Sequence, residues 1–107
     1  MSTFNERESA FETGFSEEQK KSFKIEARAS KLVGYWAADK MKLTGEDKEN
    51  YAKEVIATNL DEPGYDDVRR KISDDLARHK IAFDGKELDA AIAKAVREAI
   101  RQVQDGI

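Results

Sequence analysis

At 107 residues the chain is the size of one ordinary domain, long enough to bury about two-thirds of its unfolded surface around a single core. Charged side chains make up 38% of it, yet 19 Lys and Arg against 22 Asp and Glu leave a net charge of -3, a balance that argues against a general nucleic-acid binder. Cysteine is absent, which excludes disulfides, thiolate metal sites and a cysteine nucleophile, and leaves the fold to packing alone.

The first fifteen residues carry acidic side chains and scattered phenylalanines. They lack the basic region and apolar run of a secretory signal, and nowhere does the chain approach the roughly 20 apolar residues of a membrane span. A cytoplasmic protein is therefore expected. Phe4 and Phe11 lie seven apart, nearly on one helical stripe, with Glu8 and Ala10 near it and Gly14 marking an end or a bend. A helix this short is marginal alone, so the segment is expected to be flexible or marginally helical until its phenylalanines find a groove. Each buried Phe supplies about 1.5–3 kcal/mol, enough to offset the ordering of a few residues. Docking in a partner's groove and folding back on the chain's own helices as a lid both satisfy this pattern.

Beyond it, Ala, Lys, Glu, Leu and Arg dominate and the only proline is Pro63, which favours helices over strands. Ser16 with Gln19, Thr44 with Asp47 and Asp84 with Glu87 each set a capping side chain three residues before an acid or amide, as helix starts prefer. The first helix is expected over about 17–41, with Ile25, Ala29, Leu32, Val33, Trp36 and Ala37 on one face. The turn Lys42–Leu43–Thr44–Gly45 ends it. A second helix over about 46–59 buries Ala52, Val55, Ile56 and Tyr51 before the breaker Asp61–Glu62–Pro63–Gly64. Val68, Ile72 and Leu76, spaced by four, mark a third over about 65–78. The last, about 85–104, carries Leu88, Ile92, Ala95, Val96, Ala99, Ile100 and Val103. The fold class is thus all-α, a four-helix bundle, with residues 1–15 forming an N-terminal segment and 16–107 the helical domain.

Gly34 lies inside the first helix, where it costs about 1 kcal/mol relative to alanine. Close approach of another helix beside Trp36 is the simplest compensation, and a hinge is the functional rival. Charge is banded: residues 20–42 hold seven basic and two acidic side chains, whereas 43–67 hold two basic and eight acidic. Helices carrying such bands neutralise one another when packed, although solvated faces explain the banding as well.

Candidates for chemistry are thin. His79 is the only histidine, so no histidine pair exists for a metal, and a helix-end or surface role suits it better. Asp61, Glu62, Asp66 and Asp67 lack the alternating spacing of a calcium loop, and acids at a helix start are favourable in any case. No glycine-rich phosphate loop is present. The basic run Lys20, Lys21, Lys24, Arg28 and Lys31 has few interleaved aromatics, which suits a solvated or partner-facing helix better than a nucleic-acid surface.

Several blocks together resemble one family. Met1–Ser2–Thr3–Phe4, Arg7–Glu8 and Phe11–Glu12 with Phe15 look like the N-terminal inhibitory segment of the zeta subunit of the alphaproteobacterial F-type ATP synthase. Lys31–Leu32–Val33–Gly34–Tyr35–Trp36–Ala37–Ala38–Asp39 is similar to that family's KLLGLWAAE stretch. Tyr51–Ala52–Lys53–Glu54–Val55–Ile56, then Glu62–Pro63–Gly64 with Asp66–Asp67–Val68, match two further blocks in order. The last helix matches in pattern more than in letters, and Gly14 stands where a lysine is usual.

The resemblance implies a non-enzymatic inhibitor of ATP hydrolysis. Its N-terminal segment would wedge into the catalytic interface between the alpha and beta subunits, against the gamma stalk. Phe4, Arg7, Glu8, Phe11, Glu12 and Phe15 carry over as the contact set. No cofactor, metal, nucleic acid or direct membrane insertion is implied; the free protein would be a monomer, peripheral to the membrane through the synthase. A helical protein–protein adaptor with an unrelated partner is the alternative.

Overall fold

Among the described residues, four runs of helical periodicity become four helices. The computed structural model describes residues 17–62 and 64–106, comprising α1 (Glu17–Lys40), α2 (Gly45–Asp61), α3 (Asp66–Arg78) and α4 (Gly85–Gln104). No strand occurs among the described residues, and each helix begins and ends within two residues of its expected bounds.

A side-chain cap opens α4, whereas α2 and α3 start without one and carry acids in their first turns. Asp84 has extended backbone and its Oδ1 accepts from the Lys86 N–H at 2.9 Å, opening α4 as its sequence suggests. Thr44 is likewise extended ahead of α2, but its hydroxyl makes no capping bond; the acids Glu46 and Asp47 in the first turn supply the favourable charge instead. Ser16, the expected cap of α1, lies outside the described residues.

Two helices stop in the same way, and neither stop uses glycine. After α1, Lys42 turns left-handed at φ 62 and the Leu43 N–H reaches back to the Ala38 carbonyl at 2.8 Å. After α3, Lys80 does so at φ 57 and the Ile81 N–H bonds the Leu76 carbonyl at 2.9 Å. Both are Schellman closures, with the following apolar residue, Leu43 or Ile81, tucked against the core. That anchorage offsets the cost of a left-handed lysine.

α1 is the spine. It packs most extensively on α2 and on α4, which make no contact with each other among the described residues. α3 lies mainly on α2 and closes the far side with smaller contacts to α1 and α4. Ala29, Val33 and Ala37 of α1, Val55 of α2, Val68, Ile72 and Leu76 of α3, and Leu88 and Ala99 of α4 are buried in one core. Ile25, Leu32, Trp36, Ile92 and Val96 pack at its margin. Ile100, expected on the apolar face of α4, is exposed, because it sits at the edge of the stripe that Leu88, Ala95 and Ala99 define.

Gly34 resolves in favour of close approach. A Cβ built on it would lie 3.0 Å from the Ala52 Cα and 3.4 Å from the Val55 side chain. Ser30 and Ala38, one turn to either side, are fully buried too, so α1 presents a ridge of small residues to α2. The Ser30 hydroxyl has no hydrogen-bond partner among the described residues, so its part in this contact is its small size and not a polar bond.

Gly34→Ala should lower stability by about 1–3 kcal/mol, because the new methyl meets backbone and not a side chain that can swing away, overriding a helix-propensity gain of about 1 kcal/mol. Urea unfolding followed by circular dichroism reads this directly, and a raised midpoint would contradict the tight α1–α2 contact.

Candidate partner-binding site

Phe4, Arg7, Glu8, Phe11, Glu12 and Phe15 all lie outside the described residues. What is described is the base from which that segment springs. Residues 19–24 of α1 are exposed; Ile25 is the first to pack against the core and Ala29 the first to be fully buried. The opening turns of α1 therefore project past the neighbouring helices.

A polar clamp secures α1 just beyond this projection. Glu26 Oε1 accepts from the Asn59 amide nitrogen and from the Gly64 N–H, each at 2.9 Å. The same Asn59 nitrogen donates to the Gly64 carbonyl at 2.8 Å. Gly64 has φ +100, a conformation that suits glycine. One carboxylate thus ties α1 to the end of α2 and the turn into α3. Asn59 was legible as buried, since it continues the Ala52–Val55 stripe by four residues; its pairing with Glu26 was not.

A second cluster joins α2 to α3. The Tyr51 hydroxyl donates to Asp75 Oδ2 at 2.8 Å, Lys71 Nζ lies 3.0 Å from the same oxygen and 3.1 Å from Glu54, and Arg78 pairs with Asp75 Oδ1. The Lys71 ammonium also sits 5.2 Å over the Tyr51 ring. Burial raises the carboxyl pKa of Asp75, but the hydrogen bonds from Tyr51 and Lys71 and the charges of Lys71 and Arg78 outweigh it, holding Asp75 below the usual carboxylate range. Burial, then the bond to Asp75, pushes the Tyr51 hydroxyl well above its ordinary value. A cleft of about 600 Å³ opens here, lined by Leu43, Asn50, Tyr51, Lys71, Asp75 and His79 among others. With the Asp75 carboxylate held by three donors, the cluster ties α2 to α3. Asp75 falls on the buried Val68–Ile72–Leu76 stripe, a spacing that marks it in the sequence.

The remaining candidates take structural places. His79 ends α3, with Nδ1 2.9 Å from the Asp75 carbonyl oxygen. Among the described residues no group of three or more His, Cys, Asp or Glu is placed to hold a metal. Glu62 is held above its ordinary pKa by a hydrogen bond with Asp67 and by that group's charge. Between α1 and α4 runs a groove of about 510 Å³ floored by Leu32, Trp36, Ala91 and Ala95. Across it Lys40 pairs with Glu87 at 2.9 Å and lies 5.1 Å over the Trp36 ring.

A model of the ATPase inhibitor subunit zeta family matches residues 1–102, a stretch running from the first residue through nearly all of α4. The chain belongs to that family. As a zeta-family member it is an ATPase inhibitor subunit, and all six candidate contact residues fall within the matched stretch. No curated protein matches the chain, and no solved structure does. Among the described residues no helix is long and apolar enough to cross a membrane.

The Tyr51–Asp75 bond gives this zeta-family fold a defined pH window. A depressed Asp75 pKa contributes stability that is present at neutral pH and is lost as pH falls through the folded value. A raised Tyr51 pKa contributes stability that is full below the unfolded value of about 10 and is lost as pH rises beyond it. Tyr51→Phe should cost about 1.5–3 kcal/mol at neutral pH, as for a hydrogen bond to a charged group. In urea titrations the gap to wild type should narrow below about pH 4 and above about pH 10; a gap independent of pH would refute the assignment.

Proposed function

We propose that the chain inhibits ATP hydrolysis by the F-type ATP synthase, with residues 1–15 wedged into the catalytic interface between the alpha and beta subunits and against the gamma stalk. The observation that carries this reading is the family match, which runs unbroken from the phenylalanine-bearing segment into the helical body. The segment springs from a helix whose opening residues, 19–24, are exposed.

No reacting group is required, and the chain is read as having no catalytic chemistry of its own. A wedge acts if it fits one conformation of the interface better than the others that rotation must visit; inhibition is then set by that differential affinity. Phe4, Phe11 and Phe15 anchor in the crevice, while Arg7, Glu8 and Glu12 pair at its rim. Residues 16–107 form the helical domain that stays outside and holds the wedge at high effective concentration. The protein works on the cytoplasmic side, peripheral to the membrane through the synthase.

The test compares ATP hydrolysis by the cognate enzyme in the presence of the full chain, the chain without residues 1–15, and Phe4→Ala with Phe11→Ala. Loss of two buried phenylalanines at about 1.5–3 kcal/mol each should weaken inhibition at least about a hundredfold, with helicity unchanged. Undiminished inhibition by both variants would remove the wedge. Melting of the helices would show the segment to be a lid on its own domain, and failure of the wild type to act on the synthase would favour a helical adaptor with another partner.

Gly14 allows a gain-of-function check. Gly14→Lys restores the charge usual in the family and adds helix propensity worth about 0.7 kcal/mol, so inhibition should tighten by about threefold. A weaker inhibitor would mean that the segment must bend there.

A further inference from the structure

Between residues 19 and 31 the chain carries five basic side chains and one carboxylate, Glu26. That carboxylate accepts hydrogen bonds from Asn59 and Gly64, and against the five bases it leaves the segment with a net charge of +4. Lys20, Lys24, Arg28 and Lys31, at spacings of four, eight and eleven, therefore form one positive stripe along α1. Lys20, Lys21, Lys24 and Lys31 take part in no ion pair among the described residues. Arg28 donates to Gln102 at 3.1 Å, which steadies the stripe against α4.

Beside the stripe stands Phe23, 59% exposed among the exposed residues 19–24. Leu60, 50% exposed, lies next to Asn59, which the Glu26 clamp holds one turn from Phe23. At the foot of the stripe a hollow of about 290 Å³ is lined by Lys24, Ala27, Arg28, Val103 and Gly106. Apolar anchors flanked by cations that form no ion pair among the described residues, with a basic concavity alongside, suit a protein surface that offers carboxylates around an apolar patch.

We infer that Lys20, Phe23, Lys24, Arg28 and Lys31 form a second docking surface, which engages a carboxylate-rich face of the ATPase just outside the crevice that receives residues 1–15. This rests on the inhibitory reading above. The occupant follows from continuity and charge. Whatever seats Phe15 has Lys20 and Phe23 only five and eight residues further along the chain. The stripe attracts only a surface of opposite sign. Its contribution is to speed encounter and orient the segment, and screening by salt weakens it.

The experiment measures association and dissociation of full-length chains with the isolated catalytic assembly at low and high salt. Lys20→Glu, Lys24→Glu and Lys31→Glu are combined in one variant and the corresponding Gln changes in another. These side chains are exposed and hold no ion pair among the described residues, and Glu and Gln are helix formers comparable to Lys, so circular dichroism should be unchanged. The Glu variant should associate at least about tenfold more slowly than wild type at low salt, the gap closing at high salt, with the Gln variant between them. Phe23→Ala should dissociate several-fold faster. Wild-type association by the Glu variant at low salt would overturn the proposal. So would a stripe whose loss abolishes binding to vesicles of phosphatidylglycerol, or to duplex DNA, while leaving association with the catalytic assembly intact. Phe4→Ala with Phe11→Ala separates the two readings: if that variant inhibits fully while the Glu variant associates slowly, the wedge fails and the docking stripe stands.

Discussion

The close contact of α1 with α2 at Gly34 is the constraint on which the remaining architecture depends. With no Cβ in the way, the α2 backbone at Ala52 comes to a distance that alanine on α1 would contest. Ser30 and Ala38 extend the same shallow ridge, so the two helices lie near enough for Glu26 to reach Asn59 and for Tyr35 to reach Glu49 at 2.5 Å. Because α2 and α4 do not touch, α1 must bind both. One face is pared down for α2, and the other carries Leu32 and Trp36 toward α4. The glycine's cost in helix propensity is small beside the packing that it permits.

Electrostatics finish what packing begins. Each neighbouring pair of helices, α3 with α1 excepted, is bridged by an ion pair: Asp39 with Lys48 between α1 and α2, Lys40 with Glu87 between α1 and α4, Glu54 with Lys71 between α2 and α3, and Arg69 with Asp89 between α3 and α4. Most are solvent-exposed and individually worth under about 1 kcal/mol. Their value lies in register, since each ties a named position on one helix to a named position on the next. The buried Tyr51–Asp75 bond is different in kind, because its donor and acceptor would both be stranded by separation.

Among the described residues, helix order and bounds were legible because apolar side chains recur at helical spacing, most clearly in α3 and α4, and turn residues punctuate the runs. Charge banding was legible in part. The expectation that the basic band of residues 20–42 and the acidic band of 43–67 neutralise one another is not met by ion pairs among the described residues: Lys48 with Asp39 joins the minority charge of each band, and Lys40 and Glu54 pair with Glu87 and Lys71, outside both bands. Two kinds of feature were hidden. Polar side chains on buried stripes, Asn59 and Asp75, could be located but not paired, since pairing depends on which helices meet. The left-handed lysines Lys42 and Lys80 could not be foreseen because glycine is the usual residue there, and the tucking of Leu43 and Ile81 that compensates them is a tertiary event. The contact set from Phe4 to Phe15 rests on resemblance and on family membership, not on geometry.

Between Glu17 and Ser30 α1 contains no glycine and no proline, and the glycine that follows at position 34 is wedged against α2. The helix therefore has no compliant joint along its length. A load applied to its outer tip travels down a stiff rod, is met first by the Glu26 clamp at the α2–α3 turn, and is then shared between α2 and α4. Such a part behaves mechanically as a braced strut: torque at one end is resisted by the entire body instead of being dissipated in a bend.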